Sequence, residues 1–153
     1  MLYAVVLTIH SWLRWGVLLA GLVAFVRSAL GASRRAAWTP ADERAGFWFS
    51  TVLDAQFLLG LVLYIFLSPF THAAFRDIGG AMGNSGLRFW AVEHVFGMVI
   101  GVALVHVGRV RGRKADSLRR HRVIAIFFGL ALVAILVSNP WPGMPAGRPL
   151  LRW

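Results

Sequence analysis

The stretch HRVIAIFFGLALVAILVSN, residues 121–139, decides the fold of this chain, because no charged side chain follows Arg122 within it. At about 1.5 Å per helical residue it extends roughly 28 Å, close to the about 30 Å of a bilayer's hydrocarbon core. Three further apolar stretches of sufficient length lie at residues 2–27, 46–68 and 88–109. These runs are long and do not alternate with polar residues, which predicts transmembrane helices rather than barrel strands.

The composition supports a membrane protein. Of the 153 residues, 58% are hydrophobic and 14% are charged, which is too apolar for an ordinary soluble domain. We therefore expect an all-α integral membrane protein, an up-down-up-down four-helix bundle over residues 1–139 followed by a proline-rich tail at 140–153. In such a bundle the first and third helices lie diagonally across the core. The first segment lacks the basic region of a signal peptide, so we expect it to remain as a helix.

The 16 Lys and Arg residues are distributed unevenly along the chain. Four lie at 27–44 and seven at 109–122, whereas the 69–88 connection and the tail have two each. By the positive-inside rule this asymmetry predicts cytoplasmic first and third connections, with both termini outside. We interpret the positive charge as a topology signal that also contacts anionic lipid, in preference to nucleic-acid binding. The chain has no cysteine, which excludes thiolate metal sites and covalent haem attachment.

Two histidines lie at similar predicted depths in the first and third helices. Because ionisable side chains within a bilayer usually face the bundle interior, His10 and His94 are the leading candidates for a buried site. Two imidazoles on diagonal helices can supply both axial ligands of a b-type haem. Gly97 and Gly101 lie near the face of His94 and would leave room for a porphyrin, although a G-x-x-x-G pattern more often reflects close helix packing.

Other ionisable residues within the helices have competing interpretations. Arg14 and Glu93 form an interhelical ion pair in one interpretation, and in the other Arg14 binds a haem propionate. Asp54 and Gln56 are candidates for a quinone or proton site, with a buried structural hydrogen bond as the alternative. His121 is a further candidate for that site, against the simpler interpretation of a solvated residue at a helix start.

Metal chemistry other than haem is a weaker prediction. His72, Met82 and Met98 would join the two leading histidines in a copper site, since imidazole and thioether suit copper, but no tight spacing supports it. His106 is rotated by about 120° from the face of His94, which disfavours a second stacked haem there. The glycine-rich 69–87 connection is expected to be a mobile loop that serves as a lid.

Several segments carry a family resemblance. The sequences HSWLRW at 10–15, LRFWAVEH at 87–94 and RHRVIAIF at 120–127 resemble small bacterial inner-membrane proteins identified as cytochrome b or cytochrome b-like. The similarity extends to QFLLG at 56–60 and PWP at 140–142. This resemblance implies a four-helix protein of the bacterial inner membrane, with a periplasmic outer face, that binds haem b. It implies His10 and His94 as ligands and His121 as a further matched position.

The sequence thus predicts a small b-type cytochrome that passes electrons within the membrane, with quinone as a candidate partner. An electron carrier or a complex subunit is favoured over a stand-alone enzyme. Two alternatives remain, a non-redox accessory subunit of a larger respiratory or photosynthetic complex and a membrane copper-handling protein. Lipid, a parent complex and further copies of the chain are the expected partners.

Overall fold

The computed structural model describes residues 1–151, and Arg152 and Trp153, at the end of the predicted tail, lie outside the described residues. Seven α-helices follow one another, with no strand among these residues: α1 Leu2–Ser33, α2 Pro40–Val62, α3 Pro69–Arg76, α4 Ile78–Gly83, α5 Ser85–Arg88, α6 His94–Lys114 and α7 Ser117–Val137. Two π-helical turns, Leu63–Leu67 and Phe89–Glu93, extend α2 and precede α6.

Four helical spans are long and apolar enough to cross a membrane, as predicted. They are Leu2–Ser33, Pro40–Leu67, Ser85–Lys114 and Arg119–Val137, here called the first to fourth spans. The second span begins at Pro40 rather than at residue 46, because Thr39 and Asp42 form a capping box around a proline at the first helical position. The first span likewise continues past Arg27 to Ser33.

The spans form a four-cornered bundle. The helix α1 packs against α2 and α7, α6 packs extensively against α7, and α2 meets α6 along a thinner line of contact, the α2–α6 seam. The first and third spans therefore occupy opposite corners, as the bundle prediction requires. The core shared by the four spans includes Phe49 and Phe128, both buried, whose rings lie edge to face with centroids 5.1 Å apart.

A stripe of glycines brings α6 close to α7. The stripe comprises Gly97, Gly101, Gly108 and Gly112, which lie beneath Ser138, Ile135, Phe127 and Ile124 respectively. A Cβ atom on Gly108 would lie 2.5 Å from the Cβ of Phe127, and one on Gly97 would overlap the Ser138 side chain. Small residues that let two backbones approach are typical of helix association in membranes. Close packing therefore accounts for Gly97 and Gly101.

The 69–87 connection is helical, which differs from the predicted mobile loop. Ser68, Asp77 and Asn84 each accept a backbone N–H at the start of α3, α4 and α5. These caps satisfy donors that a glycine-rich sequence would otherwise expose. Within this region Ala74 and Ala81 are buried, so the connection packs as a cap on one end of the bundle.

The tail after α7 is irregular, as its prolines predict, but it folds back onto the bundle. The Trp141 indole N–H donates to the Leu136 carbonyl over 2.7 Å, and Ala146 is buried. Further along, the Leu150 carbonyl accepts hydrogen bonds from Arg14 and Trp15, at 2.8 and 3.0 Å. The tail is thus part of the packed structure.

Candidate functional site

A cavity of about 100 Å³ lies at the capped end of the bundle, and both leading histidines line it. The first span contributes His10 and Arg14 to its wall, and the second span contributes Gln56, Gly60 and Tyr64. The third span contributes Trp90, His94 and Met98. The fourth span and the tail together contribute Ile135, Asn139 and Arg148. A second cavity of about 40 Å³, also lined by His10 and His94, opens between the second and third spans beside Phe57, Leu61, Val95 and Met98.

His94 is oriented by the start of the tail. Its Nδ1 lies 2.7 Å from the Ser138 carbonyl oxygen. Because a carbonyl only accepts, Nδ1 carries the proton, and in the neutral ring Nε2 is the atom with a free lone pair. The ring also packs against Phe89 and Trp90, with centroids 5.8 and 5.5 Å away. A fixed Nδ1–H bond to a carbonyl is the usual support for a histidine that binds a metal through Nε2.

His10 lies against the second span with much less hydrogen bonding. Its Nδ1 is buried without a protein partner, and a Cβ atom on Gly60 would lie 3.1 Å from its Cε1. From across the cavity, Gln56 Nε2 donates a hydrogen bond to the backbone carbonyl of His10 over 3.0 Å. Glycine at position 60 therefore makes room for the imidazole, whose Nδ1 remains available to a ligand.

Two π-helical turns meet beside the cavity. The Tyr64 hydroxyl, in the turn of the second span, donates to the Ala91 carbonyl, in the turn of the third span, over 2.7 Å. Such turns are frequent at functional sites because they expose backbone groups and rotate the residues that follow. His94 follows one of them directly. Nothing in the sequence pattern marks these turns, and their mutual bond is visible only in the fold.

Two arginines give the cavity a positive charge, and no carboxylate from the described residues lines it. Arg14 is only 8% exposed, and its Nε has no hydrogen bond partner. The Arg148 guanidinium lies over the rings of Phe70 and Trp90, at 4.7 and 5.1 Å from their centroids. The predicted pairing of Arg14 with Glu93 is wrong, because Glu93 instead bonds to Arg88 over 2.7 Å.

Four polar atoms of the cavity wall have no hydrogen bond partner among residues 1–151. They are His10 Nδ1, Arg14 Nε, Gln56 Oε1 and Asn139 Nδ2. A buried polar atom without a partner costs about 1–3 kcal/mol, so their grouping around one cavity makes it the candidate site for a polar or coordinating group. Asn139 and Arg148 escaped the sequence reasoning because only the returning tail brings them here.

The three residues predicted for a quinone or proton site lie in three different places. Gln56 lines the cavity, whereas Asp54 points out of the bundle and bonds to His106 over 2.9 Å. His121 is 2% exposed at the opposite end of the bundle, where its ring lies 4.8 Å from that of Trp38. It is therefore not a solvated helix-start residue. Helical rotation separates Asp54 from Gln56, because residues two apart face different directions.

The predicted copper set is also divided. Met98 lines the cavity with the two leading histidines, whereas His72 and Met82 are exposed on α3 and α4. His72 Nε2 lies 3.2 Å from the Ile65 carbonyl instead. No group of three or more His, Cys, Asp or Glu side chains with metal-binding geometry occurs among residues 1–151.

The arginine-rich end of the bundle is held by ion pairs. Glu43 accepts from Arg109 and Arg113, at 3.5 and 3.3 Å, and also from Arg120. Asp42 pairs with Arg27 over 2.7 Å and lies 3.9 Å from His121. Contacts from all four spans thus converge on two adjacent carboxylates, which gives this end a structural role.

No family model, curated protein or solved structure matches this chain.

Proposed function

We propose that this protein is a small b-type cytochrome-like electron carrier that holds one haem between His10 and His94. The observation that carries the proposal is the shared cavity, to which two diagonal spans each contribute an imidazole without a competing side-chain partner. A low-spin haem needs one ligand on each face of the macrocycle, and diagonal helices offer nitrogen atoms from opposite sides.

The remaining wall residues fit such a group in their chemistry. Haem carries two carboxylates, and Arg14 and Arg148 are cationic while the cavity wall has no acid among the described residues. Apolar residues such as Leu53, Leu63 and Ile135 cover the rest of the wall. Arg14 lies one helical turn deeper than His10, so the half-buried tail residue Arg148 is the better partner for an outward-pointing carboxylate.

The space as it stands is narrower than a haem requires. The two cavities, about 100 and 40 Å³, are below the range of about 300–1,000 Å³ typical of ligand pockets. Insertion must therefore separate the spans, and the α2–α6 seam is the contact with the least packing to lose. We expect the haem to enter at this seam.

When bound, the haem supplies reversible one-electron chemistry. The chain's own contribution is to hold two imidazoles in place, through the Ser138 carbonyl at His94 and the space above Gly60 at His10. Burial among apolar side chains keeps water away and tunes the potential of the iron. No residue of the cavity is needed as an acid or a base.

The charge distribution supports an orientation for this site. We propose that the arginine-rich end, with Arg109, Arg113 and Arg120, faces the cytoplasm, in accordance with the positive-inside rule. The cavity then lies towards the outer face of a bacterial inner membrane.

One spectrum tests the proposal. Protein purified after haem-replete expression should show a Soret band and a reduced α-band, and their absence would refute the cytochrome function. His10→Ala and His94→Ala should each abolish low-spin ligation, whereas the matched variant His72→Ala, on an exposed histidine at the same end, should keep it. Should a variant fold poorly, added imidazole should restore the low-spin spectrum of His94→Gly protein, and failure to do so would contradict the ligand assignment.

A copper site is the second candidate, favoured by one observation. Met98 lines the cavity together with His10 and His94, and two imidazoles with a thioether suit copper. Metal analysis separates the two candidates. Copper retained after purification, without haem absorption and lost in a Met98→Leu variant, would replace the haem assignment.

A further inference from the structure

Asp54 and His106 form a polar pair on the outer surface of the bundle, within the second and third spans. His106 Nε2 lies 2.9 Å from Asp54 Oδ1, and the two side chains are 49% and 42% exposed. Asp54 lies about 21 Å along the helix from Pro40. Ionisable residues within spans ordinarily face a bundle interior or a water-filled cavity, because exposure to hydrocarbon is costly. The outward position of this pair therefore calls for a polar partner.

The Asp54 carboxylate has a second oxygen, Oδ2, which is a hydrogen bond acceptor. When the Nε2–H of His106 donates to Oδ1 of the Asp54 carboxylate, Oδ2 keeps unshared lone pairs. The nearest arginine along the helix, Arg109, is engaged by Ser50 and Glu43, at 2.5 and 3.5 Å. A partner for this pair must hence bring a donor, such as a hydroxyl group.

An apolar stripe continues from the pair towards the cavity. Phe57 and Leu61 follow Asp54 at three and seven residues, and Met98 precedes His106 by eight, so all share the faces that form the α2–α6 seam. The cavity of about 40 Å³ opens along this stripe and reaches His10 and His94. A molecule at the seam would contact lipid on one side and the site on the other.

We propose that the α2–α6 seam binds a lipid-soluble molecule with a hydroxyl headgroup, which donates to Asp54 Oδ2 while its apolar body lies along Phe57 and Leu61. A second copy of this chain at the seam is the competing occupant, and crosslinks between copies would reveal it. Hydroquinones belong to the proposed class and would lie beside the haem. Only that electron-transfer link rests on the proposed function, since the binding itself needs no haem.

Photocrosslinking in nanodiscs tests the proposal on the full chain without reading a haem signal. The probe is an alkylphenol with a photoactivatable group in its tail, and its methyl ether is the matched control without a donor. We expect the phenol to label the seam near Phe57, Leu61 or Val95, and the ether to label it at least about tenfold less. Asp54→Asn keeps an acceptor for His106 but replaces the free acceptor with a donor, and should lower phenol labelling similarly. Asp116→Asn, at an exposed acid outside the spans, should not.

Equal labelling by phenol and ether would overturn the proposal, because the hydroxyl group would then not be recognised. Labelling at other helices, or undiminished labelling of Asp54→Asn protein, would do the same. Crosslinks to a second copy across the seam would show an interface instead and equally contradict it. Circular dichroism of Asp54→Asn protein in the same nanodiscs must match the parent, and His106→Gln supplies a second variant that removes the pair from its other side.

Discussion

A methyl group at position 60 tests whether the second span holds the His10 ring in place. In Gly60→Ala the new Cβ lies 3.1 Å from His10 Cε1, closer than ordinary van der Waals contact. The ring must move by a few tenths of an ångström or rotate, since its other side faces the cavity. The helical backbone is compatible with this substitution, because alanine in a helix interior is favoured over glycine by about 0.5–1 kcal/mol.

The expected result is a loss of ligation without a loss of fold. Displacement of a ligand's supporting contact typically costs roughly tenfold or more in affinity, so we expect haem binding by Gly60→Ala to weaken by about that factor. The larger Gly60→Val should weaken it further. Absorption titration with haem measures the affinity, and thermal unfolding in detergent measures the stability.

Gly16→Ala is the matched control for this experiment. It lies in the interior of α1, where a new Cβ would meet Val52 at an ordinary 3.6 Å. It should gain the same helix stability and bind haem as the parent does. Nitrogen-15 NMR of labelled histidine gives a readout without haem, in which only the His10 signals should shift in Gly60→Ala. An unchanged affinity and unchanged His10 signals in Gly60→Ala would refute the placement of this ring.

Three further outcomes are expected. Gly108→Ala should lower the stability by about 1–3 kcal/mol, because its Cβ would lie 2.5 Å from that of Phe127. Chemical unfolding in detergent measures this stability, and a value at or above the parent's would contradict the packing of α6 on α7. Glu43→Gln should lower the melting temperature, because three arginines lose the carboxylate that they share, and the decrease should be smaller in high salt. A decrease that does not depend on salt would contradict a charge-based role for Glu43. Arg148→Ala should speed haem loss to apomyoglobin, and an unchanged rate would exclude it as a cofactor contact.

The sequence predicted most of the helices, but it predicted the residues at which they begin and end less well. The apolar run placed the start of the second helix at residue 46, whereas the helix begins at Pro40, because Thr39 and Asp42 form a cap there. The 69–87 glycines suggested a loop, whereas caps at Ser68, Asp77 and Asn84 produce helices. Glycine weakens a helix only by a modest amount, which local capping and packing offset.

The candidate site was predictable only in part. His10 and His94 stand out because any ionisable residue in an apolar span is conspicuous, and depth follows from counting residues. The partners of Arg14 were not predictable, because its guanidinium meets a carbonyl 136 residues away in a tail that only folding returns. Asp54 and Gln56 looked like one site in sequence, and the helix turns them to opposite sides.

The sequence by itself determined that this chain has four helices long and apolar enough to span a membrane, because length and hydropathy are properties of each segment separately. It also determined that His10 and His94 lie within those helices. Only the tertiary structure decided which faces meet: that Ser138 orients His94, that Gly60 adjoins His10, and that His106 joins Asp54 on the outside. The physical reason is that rotation about a helix axis and the return of a distant tail are set by packing between segments, which no single segment encodes.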